Sequence, residues 1–113
     1  MIQIVEQKIS SEGLRKHLGD PFDDMIKFVV DIHKQIMSLG GRLHADGEKI
    51  LLESGSCQEN LWGGNWYPNF SGDKRIEYTA MINIRPRLGN MAMEIQDPAL
   101  RQKVKEVVER LLS

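Results

Sequence analysis

The sequence predicts an α+β fold: an antiparallel β-meander sheet with two long amphipathic helices packed mainly on one face. Three observations predict it. Two segments, 20–39 and 97–112, carry apolar residues at helical spacing behind an Asp-Pro start. The middle of the chain holds alternating apolar and polar residues broken by turn dipeptides, as strands and hairpins do. Two helices cover most naturally one face of a sheet, which leaves the other polar.

The elements follow in order. Ile2–Val5 reads as a short β-branched strand, and Ser10 or Ser11 caps a short helix over residues 12–18 closed by Gly19. Asp20-Pro21 opens the first long helix. Its stripe is Met25, Ile26, Val29, Ile32, Ile36 and Leu39, with His33 within the apolar face, and Gly40-Gly41 ends it. Asp46-Gly47 is a two-residue turn signal that predicts a hairpin over residues 42–53. A strand over 58–62 is interrupted by Gly63-Gly64, a pair that suggests a bulge or a close backbone approach. Residues 74–85 alternate, with Ile76, Tyr78, Ala80, Ile82 and Ile84 on one face. Gly89-Asn90 turns the chain into a last strand with Met91, Met93 and Ile95 inward. Asp97-Pro98 then starts the final helix, with Leu100, Val104, Val107, Val108, Leu111 and Leu112 on one side.

Composition narrows the function. The 113 residues have the size of one domain, and no linker divides them. A formal net charge of -1 argues against a dedicated nucleic-acid binder. The single cysteine, Cys57, forms neither an internal disulfide nor a cysteine zinc site, and reads as a small semi-buried side chain. No apolar run approaches a membrane span, and the N-terminus does not read as a secretory signal, so a soluble cytoplasmic protein is expected. Nucleotide-binding, serine-hydrolase and zinc-protease signatures are missing, and no cofactor or metal site is expected.

The candidate working surface is the polar sheet face. Asn60, Trp62 and Asn65, in a stretch holding both tryptophans, are candidate ligand residues, because amides read polar ligands and aromatics give rigid contact area. Asn83, Arg85 and Arg87 are the others; Arg85-Pro86-Arg87 before Gly89-Asn90 could form a small anion site. Each also has a structural reading, as core aromatics in a bulged strand or as a charged loop that keeps an edge soluble. His44 with Glu53, Glu59 or Glu94 is the candidate acid–base set of a small hydrolase or lyase. Three functions stay open: a binding or regulatory module for a small polar or anionic ligand or a partner protein, that small enzyme, and a homodimerising module anchored by Leu51, Trp62 and Met81.

Several polar words occur in order: His44-Ala45-Asp46-Gly47-Glu48, Leu51-Leu52-Glu53-Ser54-Gly55-Ser56, Gln58-Glu59-Asn60-Leu61-Trp62-Gly63, Ile82-Asn83-Ile84-Arg85-Pro86, and Gly89-Asn90 before Met93-Glu94-Ile95-Gln96-Asp97-Pro98. In these the chain resembles an uncharacterised family of small prokaryotic proteins, a domain of unknown function. The resemblance spans roughly residues 21–112 and implies an intracellular domain that stands alone. It implies no activity, substrate or cofactor. In the family pattern an arginine often follows the Gly-Asn pair; Met91 stands there here, which weakens the anion-site reading.

Overall fold

A computed structural model describes all 113 residues, Met1–Ser113. The fold is α+β, built on one five-stranded antiparallel sheet. Its strands are β1 (Ile2–Val5), β2 (Ile26–Asp31), β3 (Ile36–Gly40), β4 (Leu61–Trp66) and β5 (Ile76–Glu77), in the spatial order β1-β3-β2-β4-β5. The helices are α1 (Ser11–Arg15), α2 (His44–Glu53) and α3 (Pro98–Leu112).

Both ends of the chain follow the sequence-based expectation. Ser10 caps α1 by accepting from the Gly13 N–H at 3.0 Å. Asp97 caps α3 by accepting from the Ala99 N–H at 2.9 Å, with Pro98 in the first turn where no donor is needed. Val104, Val107, Val108, Leu111 and Leu112 of α3 are buried, each worth about 2 kcal/mol as an upper figure.

The middle differs. The expected helix from Asp20 is instead a loop followed by the β2–β3 hairpin. Every residue of β2 but Lys27 is buried, as is β3 from Met37 onward, so neither strand alternates. A strand covered on both faces reads as a continuous apolar run, which periodicity cannot separate from a helix. His33 consequently lies exposed in the hairpin turn rather than on a helix face.

The expected hairpin over 42–53 is the helix α2. Strands β3 and β4 run parallel with β2 between them, so the connection must cross β2, and a helix spans that gap. Gly47 is therefore not a turn residue. It faces the sheet, where a Cβ would stand 2.3 Å from Ser38 Oγ.

Only α3, with 15 residues, is one of the two long helices expected on a single face; α2, with 10, lies on the opposite face of the sheet. Phe28 and Val30 of β2 join the core beneath α3, with Met37, Leu39, Trp62 and Trp66. Val29, on the alternate face, packs with Leu51 of α2 and with Leu61. The front face expected to be wet is thus covered by α2, and Leu51 and Trp62 are buried.

The sheet is not a simple meander, and the expected long strands over 74–85 and 91–95 are mostly absent. After β5 the chain leaves β4, and Ala80 donates to Met93 O at 3.1 Å while Ile95 donates to Tyr78 O at 2.9 Å. Short 3-10 turns follow at Met81–Asn83 and Pro86–Leu88. The vacated edge of β4 is filled by side chains, Asn83 foremost. Asn83, fully buried, accepts from the Gly63 N–H and donates to Gly63 O, both at 2.9 Å. It stands in for one residue of a partner strand. No helix is long and apolar enough to cross a membrane.

Candidate functional site

The polar residues singled out from the sequence fall into three places. The first is the 78–96 loop. Asn83 also donates to Met93 O at 3.0 Å. Asn90, buried, donates to the carbonyls of Asn83, Ala92 and Glu94 and accepts from the Gln96 N–H. Arg85 donates to Leu61 O at 2.6 Å, to Gln58 O at 2.9 Å and to Glu48 Oε2 at 2.7 Å, with its guanidinium 5.0 Å from the centre of the Trp62 ring. These donors are engaged within the chain, and they fasten the loop to β4 and α2. Arg87, by contrast, is exposed and has no ion-pair partner.

The second place is a chain of polar groups under the start of α2, buried at His44 and Asn65 and exposed at Glu77. His44 Nε2 lies 2.8 Å from Gly64 O and 3.1 Å from Asn65 Oδ1, so the neutral ring carries its proton there. Asn65 Nδ2 donates to Glu77 Oε1 at 2.7 Å, which also accepts from the Tyr67 hydroxyl. Burial lowers the His44 pKa, nearby Lys27 adds to that, and the two hydrogen bonds oppose it. Burial likewise lowers the Lys27 ammonium, opposed by Glu77. Glu77, through Asn65, is the carboxylate linked to His44.

The acid–base set expected from the sequence is not brought together. Glu53 ends α2, nine residues and roughly 13 Å of helix from His44. Glu59 sits in the turn before β4, whereas His44 meets β4 at Gly64 and Asn65. Glu94 pairs with Arg101. No three His, Cys, Asp or Glu side chains group as a metal site would require. Cys57 is exposed rather than semi-buried.

The third place is a cleft of about 590 Å³ between the β2–β3 turn and α3. Asp31 shapes one wall. Its buried carboxylate accepts from the backbone N–H of His33 and Lys34, each at 2.9 Å, and from the Ser56 hydroxyl at 2.7 Å. The turn closes through Gln35 N–H to Asp31 O at 2.8 Å, with Gln35 in the left-handed region at φ 59. Asn60 joins this wall by accepting from the Ile32 N–H at 3.0 Å. The other wall is one face of α3, carrying Lys103, Glu106, Val107 and Arg110 at helical spacing. Arg110 Nη2 bonds Gln35 O at 2.6 Å and ties the walls together. Neither Lys103 nor Arg110 has an ion-pair partner. The cleft thus offers two unpaired cations, one carboxylate, amides from Gln35 and Asn60, and an apolar floor of Ile32 and Val107.

Of the ligand residues expected from the sequence, Asn60 lines this cleft, and Arg85 and Arg87 line a second one of about 530 Å³. Trp62, Asn65 and Asn83 are buried. Sequence reasoning missed Lys103, Arg110, His33 and Gln35. The spacing of Lys103, Glu106 and Arg110 along one face of the final helix was the available signal.

Residues 3–111 match the model of a family described as a protein of unknown function (DUF5674). Neither a curated protein nor a solved structure matches the chain.

Proposed function

Because the chain belongs to this DUF5674 family, whose description carries no activity, its role is read from its own geometry, and we propose that it is a binding module for a small carboxylate held in the cleft between the β2–β3 turn and α3. The observation that carries the reading is the presence of Lys103 and Arg110 in one cleft, neither in ion-pair contact with a carboxylate. Arg110 spends one donor on Gln35 O, which fixes the guanidinium while its remaining N–H groups stay free to bond an anion.

Glu106 selects among anions. It leaves the lining at a net charge of about +1, which suits a monoanionic carboxylate better than a doubly charged phosphate. Ile32 and Val107 would take the hydrocarbon part, and the Asn60 amide a further polar group.

The test is amide chemical-shift titration with short-chain monocarboxylates, against inorganic phosphate as the contrast. Shifts confined to residues 32–35, 60 and 103–110 are expected with the carboxylates. R110A should weaken binding about tenfold or more in a chain that circular dichroism shows to be folded. Saturating shifts that are the same in K103A/R110A, or no shifts at all, would refute the reading.

A further inference from the structure

A different surface carries a second inference, independent of the cleft. Nine large hydrophobic side chains are exposed, and five of them lie between positions 81 and 93: Met81, Ile84, Leu88, Met91 and Met93. Met81 is 73% exposed and Met91 66%, far beyond partial burial at a loop. Singly exposed apolar residues need no explanation, but a concentration of them on one short segment does.

That segment is also held in shape. Its two limbs run antiparallel, bridged at Thr79 with Glu94 and at Arg85 with Asn90, and the Asn83 and Asn90 amides stitch them together from within. Ordering a loop normally opposes association, and here the folded chain has already met that cost.

We infer that this loop is the interface through which two copies of the chain associate. The choice of a second copy rests on charge. Glu59 and Arg87 line the same cleft beside Ile84 and Leu88, both are exposed, and neither has an ion-pair partner. A two-fold axis puts residue i of one copy against j of the other and j against i, so one opposite-charge pair on a patch becomes two cross-chain pairs. Arg87 of each copy meets Glu59 of the other, and the apolar side chains fill the centre. The net charge of -1 leaves little long-range repulsion between copies.

Sedimentation equilibrium of the full chain tests this, with circular dichroism to show that each variant is folded. A concentration-dependent dimer is expected. R87E and E59K should each weaken it about tenfold or more, and E59K/R87E together should recover it, because the pairs re-form with their signs exchanged. M81S/M91S should also weaken it. A wild-type chain still monomeric at about 1 mM overturns the inference, since that is weaker than specific association requires. So does a dimer indifferent to these substitutions, a charge exchange that fails to restore association, or a monomer whose loop resonances move only when a foreign protein is added.

Discussion

Replacing Asn83 by aspartate isolates the hydrogen bonding of one buried amide, since the two side chains have nearly the same shape. Asn83 makes three bonds: it accepts from the Gly63 N–H at 2.9 Å and donates to Gly63 O at 2.9 Å and Met93 O at 3.0 Å. In N83D the first survives. The two donations become contacts between a carboxylate oxygen and carbonyl oxygens, with no water to intervene at a fully buried position. Two lost bonds cost about 1 kcal/mol each, and the unsatisfied carbonyls together with a buried charge add at least as much, so about 4 kcal/mol is expected. That is a large share of the stability of a domain this size, typically 5–15 kcal/mol. The carboxyl should resist ionisation because burial disfavours its charged form. A folded pKa raised above the unfolded one means stability is retained below the unfolded value near 4 and lost as pH rises. The difference between wild type and N83D should therefore shrink on acidification. Urea unfolding of both chains at pH 7 and pH 5 measures it. A loss under about 1 kcal/mol, or a difference that widens at pH 5, refutes the proposition that this amide acts as a surrogate strand.

Two further outcomes follow from the geometry. G64A would place a Cβ 2.5 Å from both Glu77 O and Phe28 Cζ, where one obstacle is backbone, so a loss of about 3 kcal/mol or failure to fold is expected in thermal unfolding. His44 and His17 are both held below the ordinary histidine pKa, chiefly by burial. The unfolded chain then binds more protons, so stability should be full above about pH 6.5 and fall as pH drops below it; H44N should flatten that fall, and an unchanged slope would refute the assignment.

How much of this was legible depended on local physics. α3 could be read because one side of it faces solvent and its stripe is therefore genuine; the Asp-Pro start alone did not decide it, since Asp20-Pro21 opens no helix. Residues 26–40 could not. Phe28, Val29 and Val30 are all buried because α3 covers one sheet face and α2 the other, and a two-sided strand erases the alternation that marks it. Asp46-Gly47 carried the chemistry of a turn, but Gly47 serves a close helix-to-sheet approach, and only the tertiary structure distinguishes the two uses. Asn83, Arg85 and Asn90 stood out as polar words, yet their chemistry is turned inward, to backbone carbonyls. The cleft joins a turn near position 33 to a helix near position 106, a juxtaposition with no local signal.

Open sheet borders are adhesive, because a row of free amide and carbonyl groups invites a strand from any neighbour. On the part of β4 that precedes its pairing with β5, that border is closed without a strand. Asn83 takes both groups of Gly63, and Arg85 takes the carbonyl of Leu61. Losing either side chain would therefore do more than weaken the fold: it would uncover a template for aggregation. Crowding and heat, rather than dilute equilibrium unfolding, are where such a lesion would first be felt.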